Sequence, residues 1–206
     1  MGWRRGWAAG LLVAAWLAAG AGAGEFKPGE GWVRLFDGQS LEGWKTHGRR
    51  RSAWRAEGGT LANPRRSVNL YTARTFQNFK LHVEFKINRE GNSGVYLRGR
   101  KEVQILDSFG KADDQLRHWD CGGIYSLHAP TTNACKAPGE WQALDITLVG
   151  DTVTVVLNGT SVVDGKEVKG ATGGELDNKV GQPGPVMLQG DHGPVWFRNL
   201  WIKPLP

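Results

Sequence analysis

The chain has 206 residues, with 26 Lys and Arg against 20 Asp and Glu, 30 Gly, 40% hydrophobic residues and 2 Cys. That length holds one domain with a core of its own, and that hydrophobic share excludes a disordered chain. Two Cys cannot staple a disulfide-dense mini-protein, and Gly at about twice its usual share points to tight turns between many short strands.

In chain order, the first element is an address. Arg4 and Arg5 precede the short apolar run Leu11 to Ala19, and Ala21-Gly22-Ala23 ends it with small residues. This is the pattern of a cleavable secretory signal over residues 1–23, too short to span a bilayer. The expectation is therefore a secreted or periplasmic protein with one domain over 24–206 and no stable membrane insertion. Removing Arg4 and Arg5 leaves 24 basic and 20 acidic residues, a net charge of +4.

Strand signals follow at short intervals. Trp32–Phe36 is the first. Trp54 to Glu57, Gly58-Gly59 and Thr60 to Asn63 predict a hairpin, and Val68–Thr72 predicts the next strand. Arg49, Arg50, Arg51, Arg55, Arg65 and Arg66 form a basic cluster. With a modest net charge, export and no accompanying motif, it reads as a solvated loop and not a nucleic-acid surface. Phe79 to Ile87 alternates apolar and polar residues without a break, which fits a strand with one buried face and excludes a helix. Val95–Arg98, Glu102–Leu106, Gly123–Leu127 and Trp141–Val149 continue the series. Val153 to Leu157, Asn158-Gly159 and Ser161 to Asp164 predict a second hairpin, because Asn-Gly tolerates the positive φ of a type I′ turn. Gly170 to Pro185 reads as a long surface loop, and Val186–Gln189 and Val195–Lys203 close the series. About a dozen strands with no helical pattern of ten residues exclude βαβ folds and predict an all-β, two-sheet antiparallel jelly-roll sandwich.

Cys121 and Cys135 enclose a stretch rich in Gly, Pro and Thr. In an oxidising compartment they are expected to form one disulfide, contributing about 3 kcal/mol. His118 and His128 lie nearby, but no CxxC or HxxxH spacing marks a metal site.

Alternation also sorts the polar side chains. With Val83, Val95, Val103, Leu188 and Phe197 turned inward, Glu84, Tyr96, Arg98, Glu102, Gln104, Gln189, Trp196 and Arg198 turn outward. This mix of carboxylates, guanidinium groups, amides and aromatic rings suits a sugar. Rings stack on sugar faces, and planar polar groups bind hydroxyls. The expectation is that these residues share one concave site. Glu102, Gln104 and Asp107 stand at i, i+2 and i+5, and a bulge would bring Asp107 onto the face of the other two. Two carboxylates so held can divide the roles of general acid and general base.

Several ordered segments carry a resemblance. They are Leu35-Phe36-Asp37-Gly38 with Leu41-Glu42-Gly43-Trp44, Asn92 to Arg98, Glu102 to Asp107, Cys121 to Tyr125, Pro138 to Gln142, Leu188-Gln189, His192-Gly193 and Val195 to Leu200. Together they resemble the 3-keto-disaccharide hydrolase domain family over nearly all of residues 31–205. The resemblance implies a concanavalin A-like jelly roll and cleavage of glycosides oxidised at C3. A ketone at C3 acidifies the C2 hydrogen, so a base can remove it, the C1 leaving group departs, and water adds back. Candidates for the base are Glu102 and Glu84, and for the acid Asp107 and His192. Arg98 and Arg198 would bind the enolate oxygen, Gln104 and Gln189 would orient hydroxyls, and Tyr96, Tyr125 and Trp196 would line or stack on the ring. The residues fix no cofactor, and a divalent metal ion held by the carboxylates could replace arginine at the enolate. The partner is a small carbohydrate. Two alternatives stand beside this reading: a carbohydrate-binding module without turnover, and a laminarinase-like glycosidase. Glu-x-Gln-x-x-Asp resembles the Glu-x-Asp-x-x-Glu strand of the latter, with an amide at its centre.

Overall fold

The computed structural model describes residues 26–47 and 51–206. The expected export signal lies outside the described residues, as do Arg49 and Arg50. Thirteen strands follow in order: β1 (Val33–Arg34), β2 (Trp44–Thr46), β3 (Arg55–Glu57), β4 (Thr60–Asn63), β5 (Leu70–Thr72), β6 (Asn78–Ile87), β7 (Asn92–Leu97), β8 (Lys101–Leu106), β9 (Gln142–Val149), β10 (Thr152–Leu157), β11 (Thr160–Glu167), β12 (Met187–Leu188) and β13 (Val195–Leu205). Among the described residues the helical content is one 3-10 turn, Asp113–Gln115. None of the described residues forms a helix long and apolar enough to cross a membrane.

The strands form two antiparallel sheets. The larger runs β11-β10-β9-β6-β13-β4-β3, with β1 on the flank of β13, and the smaller runs β2-β5-β12-β7-β8. Neighbours far apart in sequence, such as β6 beside β13 and β12 between β5 and β7, make this the jelly-roll sandwich that the pattern predicts. The core lies between the sheets. Phe79, Leu81, Val83, Phe85 and Ile87 of β6 are all buried, as are Val95, Leu97, Val103 and Ile105 of the small sheet. The two hairpin turns form as expected. Asn158 and Gly159 have φ of 51° and 86°, and Gly58 and Gly59 have 55° and 76°.

Two expectations are corrected. Gly123–Leu127 is not a strand. It is a turn segment fastened to the edge of β8 through Gln104 N–H to Gly123 O at 2.9 Å and Tyr125 N–H to Glu102 O at 3.1 Å. The Cys121–Cys135 disulfide is absent: both are free thiols, not at bonding distance. Contact with Cys135 and then burial push the Cys121 thiol well up. Hydrogen bonds fasten this loop instead. Asn133 Nδ2 donates to Ser108 O at 2.7 Å and Lys111 O at 2.8 Å, and Asn158 Nδ2 donates to Ala134 O at 2.8 Å.

Candidate active site

The floor of the site is the outer face of the small sheet. Val95, Leu97, Val103 and Ile105 point into the core, so strand geometry turns Asn92, Gly94, Tyr96, Glu102 and Gln104 the other way. The β7–β8 register sets Tyr96 opposite Glu102 and Gly94 opposite Gln104. Gln189 lies just past β12, where its N–H donates to Gly94 O at 2.9 Å. Tyr125, the Gly173-Gly174 turn, Asp191 and His192 complete a cleft of about 290 Å³.

Glu102 lies at its centre and is almost fully buried. Tyr96 O–H donates to Glu102 Oε2 at 2.9 Å. A Cβ at Gly94 would collide with Glu102 Oε1, so the carboxylate rests over bare backbone. Burial lifts the acid, the Tyr96 hydrogen bond opposes the rise, and the Asp191 charge adds to it; the carboxyl titrates at about 7. Burial also pushes the Tyr96 phenol far up, and the Glu102 charge pushes in the same direction, so Tyr96 stays a neutral donor. Asp191 Oδ1 lies 2.7 Å from His192 Nδ1, which leaves Nε2 as the other polar atom of a half-exposed ring.

The loop over residues 170–185 does more than cover surface. Thr172 Oγ1 accepts the Glu102 backbone N–H at 2.9 Å. Arg100 holds the loop through Asp177 Oδ1 at 2.6 Å and Gln182 O at 3.1 Å. At Gly174, with φ of 69°, a Cβ would press on the Tyr96 hydroxyl. A glycine at this position lets the wall approach the floor closely.

The candidate site residues predicted from sequence do not share one surface. Tyr96, Glu102, Gln104, Tyr125, Gln189 and His192 share the cleft, joined by Asn92, Asp191, Gly173 and Gly174, which the sequence reading did not select. Five candidates lie elsewhere. Arg98 stands past the end of β7 with φ of 52° and is buried between loops. Asp107 lies just past the end of β8; its Oδ2 accepts the Glu90 N–H at 2.9 Å, and it faces a separate groove with Arg89, Phe109 and Pro138. Glu84, Trp196 and Arg198 belong to β6 and β13 of the large sheet, not to the small sheet that carries Glu102. The physical reason is simple. Alternation separates inside from outside, but outside differs for the two sheets of a sandwich.

Glu84 is a structural anion. Arg198 Nε donates to it at 2.6 Å and Asn199 Nδ2 at 2.7 Å, with His82 Nε2 at 3.8 Å. Burial raises its carboxyl, but His82, Asn199 and Arg198 outweigh burial and hold it at about 2. A carboxyl depressed from its ordinary value contributes stability above about pH 4.5 and loses it as pH falls toward 2. Glu84→Gln is therefore expected to cost about 2 kcal/mol at pH 7, given that water screens the part-exposed Arg198. The cost should fade on acidification, with kcat unchanged. Thermal melts at pH 7 and pH 3 beside a turnover assay check both parts.

Among the described residues, no three His, Cys, Asp or Glu side chains are grouped to hold a metal ion. The cleft brings Glu102 and Asp191 together with neutral amides and phenols, and none of its lining residues is Lys or Arg.

A two-sheet antiparallel jelly roll whose cleft is lined by carboxylates, amides and tyrosines has the features of a carbohydrate-active protein. Comparison narrows the class. The chain belongs to the family described as the 3-keto-alpha-glucoside-1,2-lyase-like domain, which matches residues 31–203. It is 26% identical to a 3-keto-disaccharide hydrolase of Bacteroides thetaiotaomicron over 85% of this chain and 79% of that one. Two solved structures of glycosyl hydrolase candidates from Parabacteroides distasonis share the fold. One has TM-score 0.71 at 24% identity, over 86% of this chain and 95% of that one. The other has TM-score 0.68 at 28% identity, over 85% and 84%.

Proposed function

We propose that this protein is an exported enzyme that cleaves glycosides carrying a ketone at C3. The observation that carries the reading is Glu102, a buried carboxylate titrating at about 7 in the cleft of a chain of this family. Such a base is about half ionised at neutral pH and basic enough to take a carbon-bound proton that a neighbouring ketone has acidified. Glu102 Oε1, the oxygen not held by Tyr96, removes the C2 proton, and the electron pair of that bond forms the enolate. Amide N–H groups of Gln104 and Gln189 and the Tyr125 hydroxyl are the neutral donors available to the enolate oxygen. The enolate then re-forms the ketone and expels the C1 oxygen, which takes a proton from His192. Asp191 at the other ring nitrogen, 2.7 Å from Nδ1, orients His192. Water then adds across the resulting C1–C2 double bond: its oxygen joins C1 as its proton returns to His192, and Glu102 gives its proton back to C2, which leaves the free 3-keto sugar.

The geometry favours elimination over the double displacement of a laminarinase-like enzyme. Asp107, the second acid of the Glu-x-Gln-x-x-Asp pattern, lies outside the cleft, and Gln104 cannot act as a carboxylate. The test is release of aglycone from matched glucosides, one oxidised at C3 and one not. Turnover of the oxidised glucoside alone supports the proposal. Equal turnover of both, or hydrolysis of an unoxidised β-glucan, points to the glycosidase. Binding with no product from either points to a binding module.

A further inference from the structure

Two buried polar atoms of the cleft have no partner in the protein: Asn92 Oδ1 and Gln189 Oε1. Both are acceptors, and both residues line the cleft that holds Glu102. The Gln189 orientation follows from its neighbour. Tyr96 spends its only O–H on Glu102, so toward Gln189 it can only accept; Gln189 turns Nε2 to the phenol at 3.4 Å and leaves Oε1 free. An unpartnered buried acceptor is destabilising, and a ligand donor removes that cost on binding. The charges of the cleft point the same way. Its ionisable lining groups are Glu102, Asp191, His192 and the two tyrosines, and His192 is already paired with Asp191.

We infer that Asn92 and Gln189 accept hydrogen bonds from two hydroxyls of the bound ring, and that with Glu102 and Asp191 they make the cleft selective for a neutral, hydroxyl-rich sugar over one bearing a carboxylate or phosphate. A hydroxyl donates to each free acceptor. An anionic substituent has no proton to give and meets two carboxylates with no Lys or Arg to offset them. This deepens the functional reading above and rests on the same cleft, but it concerns recognition, not chemistry.

The test is calorimetric binding to the Glu102→Gln protein, which needs no turnover. The ligands are a methyl 3-keto-glucoside, its 4-deoxy and 6-deoxy analogues, and the matching 3-keto-glucuronide. In this variant Asp191 is the one carboxylate left in the cleft, and the glucuronide is still expected to bind about 10-fold more weakly than the glucoside. At least one deoxy analogue is expected to lose about 100-fold, since a site built for a hydroxyl rejects the analogue lacking it. In Asn92→Leu or Gln189→Leu that deoxy change should cost nothing further. Equal binding of glucoside and glucuronide, or no loss with either deoxy analogue, overturns the inference. Turnover by the unmodified enzyme separates the two ideas. If it cleaves the 3-keto-glucoside without this discrimination, the recognition inference fails alone. If the discrimination appears but nothing is cleaved, the inference stands and the proposed reaction fails.

Discussion

Replacing Glu102 by Gln is expected to lower kcat/KM about a thousandfold and, above pH 7, to make the folded protein more stable. The first effect is the loss of a general base, which contributes about 10²–10⁴ in rate. The second follows from burial. Glu102 titrates at about 7 in the fold against an ordinary value of 4.5. A raised carboxyl binds its proton more tightly in the folded state, so its contribution is fully present below pH 4.5 and is lost as pH rises through 7. At pH 8 the folded chain holds a buried charge at a cost of about 3 kcal/mol. Glutamine has the same shape, accepts the Tyr96 O–H as before and cannot ionise. Denaturant melts of both proteins at pH 5 and pH 8 should show the stability gap opening with pH. The activity of the unmodified enzyme should rise with pH through about 7 as the base ionises. A Glu102→Gln protein that kept full turnover would remove Glu102 from the reaction, and a pH-independent stability gap would show that the carboxylate is not strained by burial.

Much of this arrangement is written in simple periodicity. Phe79 to Ile87 shows its buried face because one side packs on a core and the other does not. Asn158-Gly159 shows its turn because few other pairs accept positive φ twice. Glu102, Gln104 and Gln189 fall on the cleft side by the same odd-and-even rule that buries Val103 and Leu188. Asn92 was within reach of that rule: it stands four residues before Tyr96 on the same strand and so on the same face. Asp191 adjoins His192 and could have been noticed as its partner.

Other features are not local. Glu84 and Glu102 are both outward-facing on their strands, and nothing in either strand tells which sheet it joins. That depends on β6 finding β13 and β7 finding β12, pairings more than ninety residues apart in sequence. The loop over 170–185 has no apolar pattern, because its role is to meet backbone and ionic partners. The Arg100–Asp177 ion pair and the Thr172–Glu102 hydrogen bond join residues about seventy or more apart, and both are satisfied by groups that a sequence scan files as solvated.

Arg98 is the position where the strand rule fails, and it carries the largest stability prediction. Arg98-Gly99 is a two-residue turn, with φ of 52° and 71° and Arg100 N–H donating to Leu97 O at 3.0 Å. The glycine that follows is the signal that β7 ends at Leu97, so the guanidinium leaves the face that alternation assigns to it. It is 1% exposed. Nε donates to Gln77 O and Nη2 to Gly150 O, both at 2.7 Å, while Nη1 lies 3.9 Å from Asp151 Oδ1. The side chain thus ties the β7–β8 turn of the small sheet to loops flanking β6 and β10 of the large one. Arg98→Met keeps the length of the side chain but removes every donor, leaving the part-buried carbonyls of Gln77 and Gly150 without their charged partner, while Asp151 keeps Lys101 Nζ at 2.9 Å. The expected cost is about 3–5 kcal/mol, a large part of what a domain of this size has to lose. Urea denaturation should show the midpoint falling steeply. At low temperature, where the variant stays folded, kcat should change by less than about threefold, since no atom of Arg98 lines the cleft. A variant with unchanged stability and a collapsed kcat would instead return Arg98 to the enolate-binding role and place the cleft differently from the one drawn by Tyr96, Glu102 and Gln189.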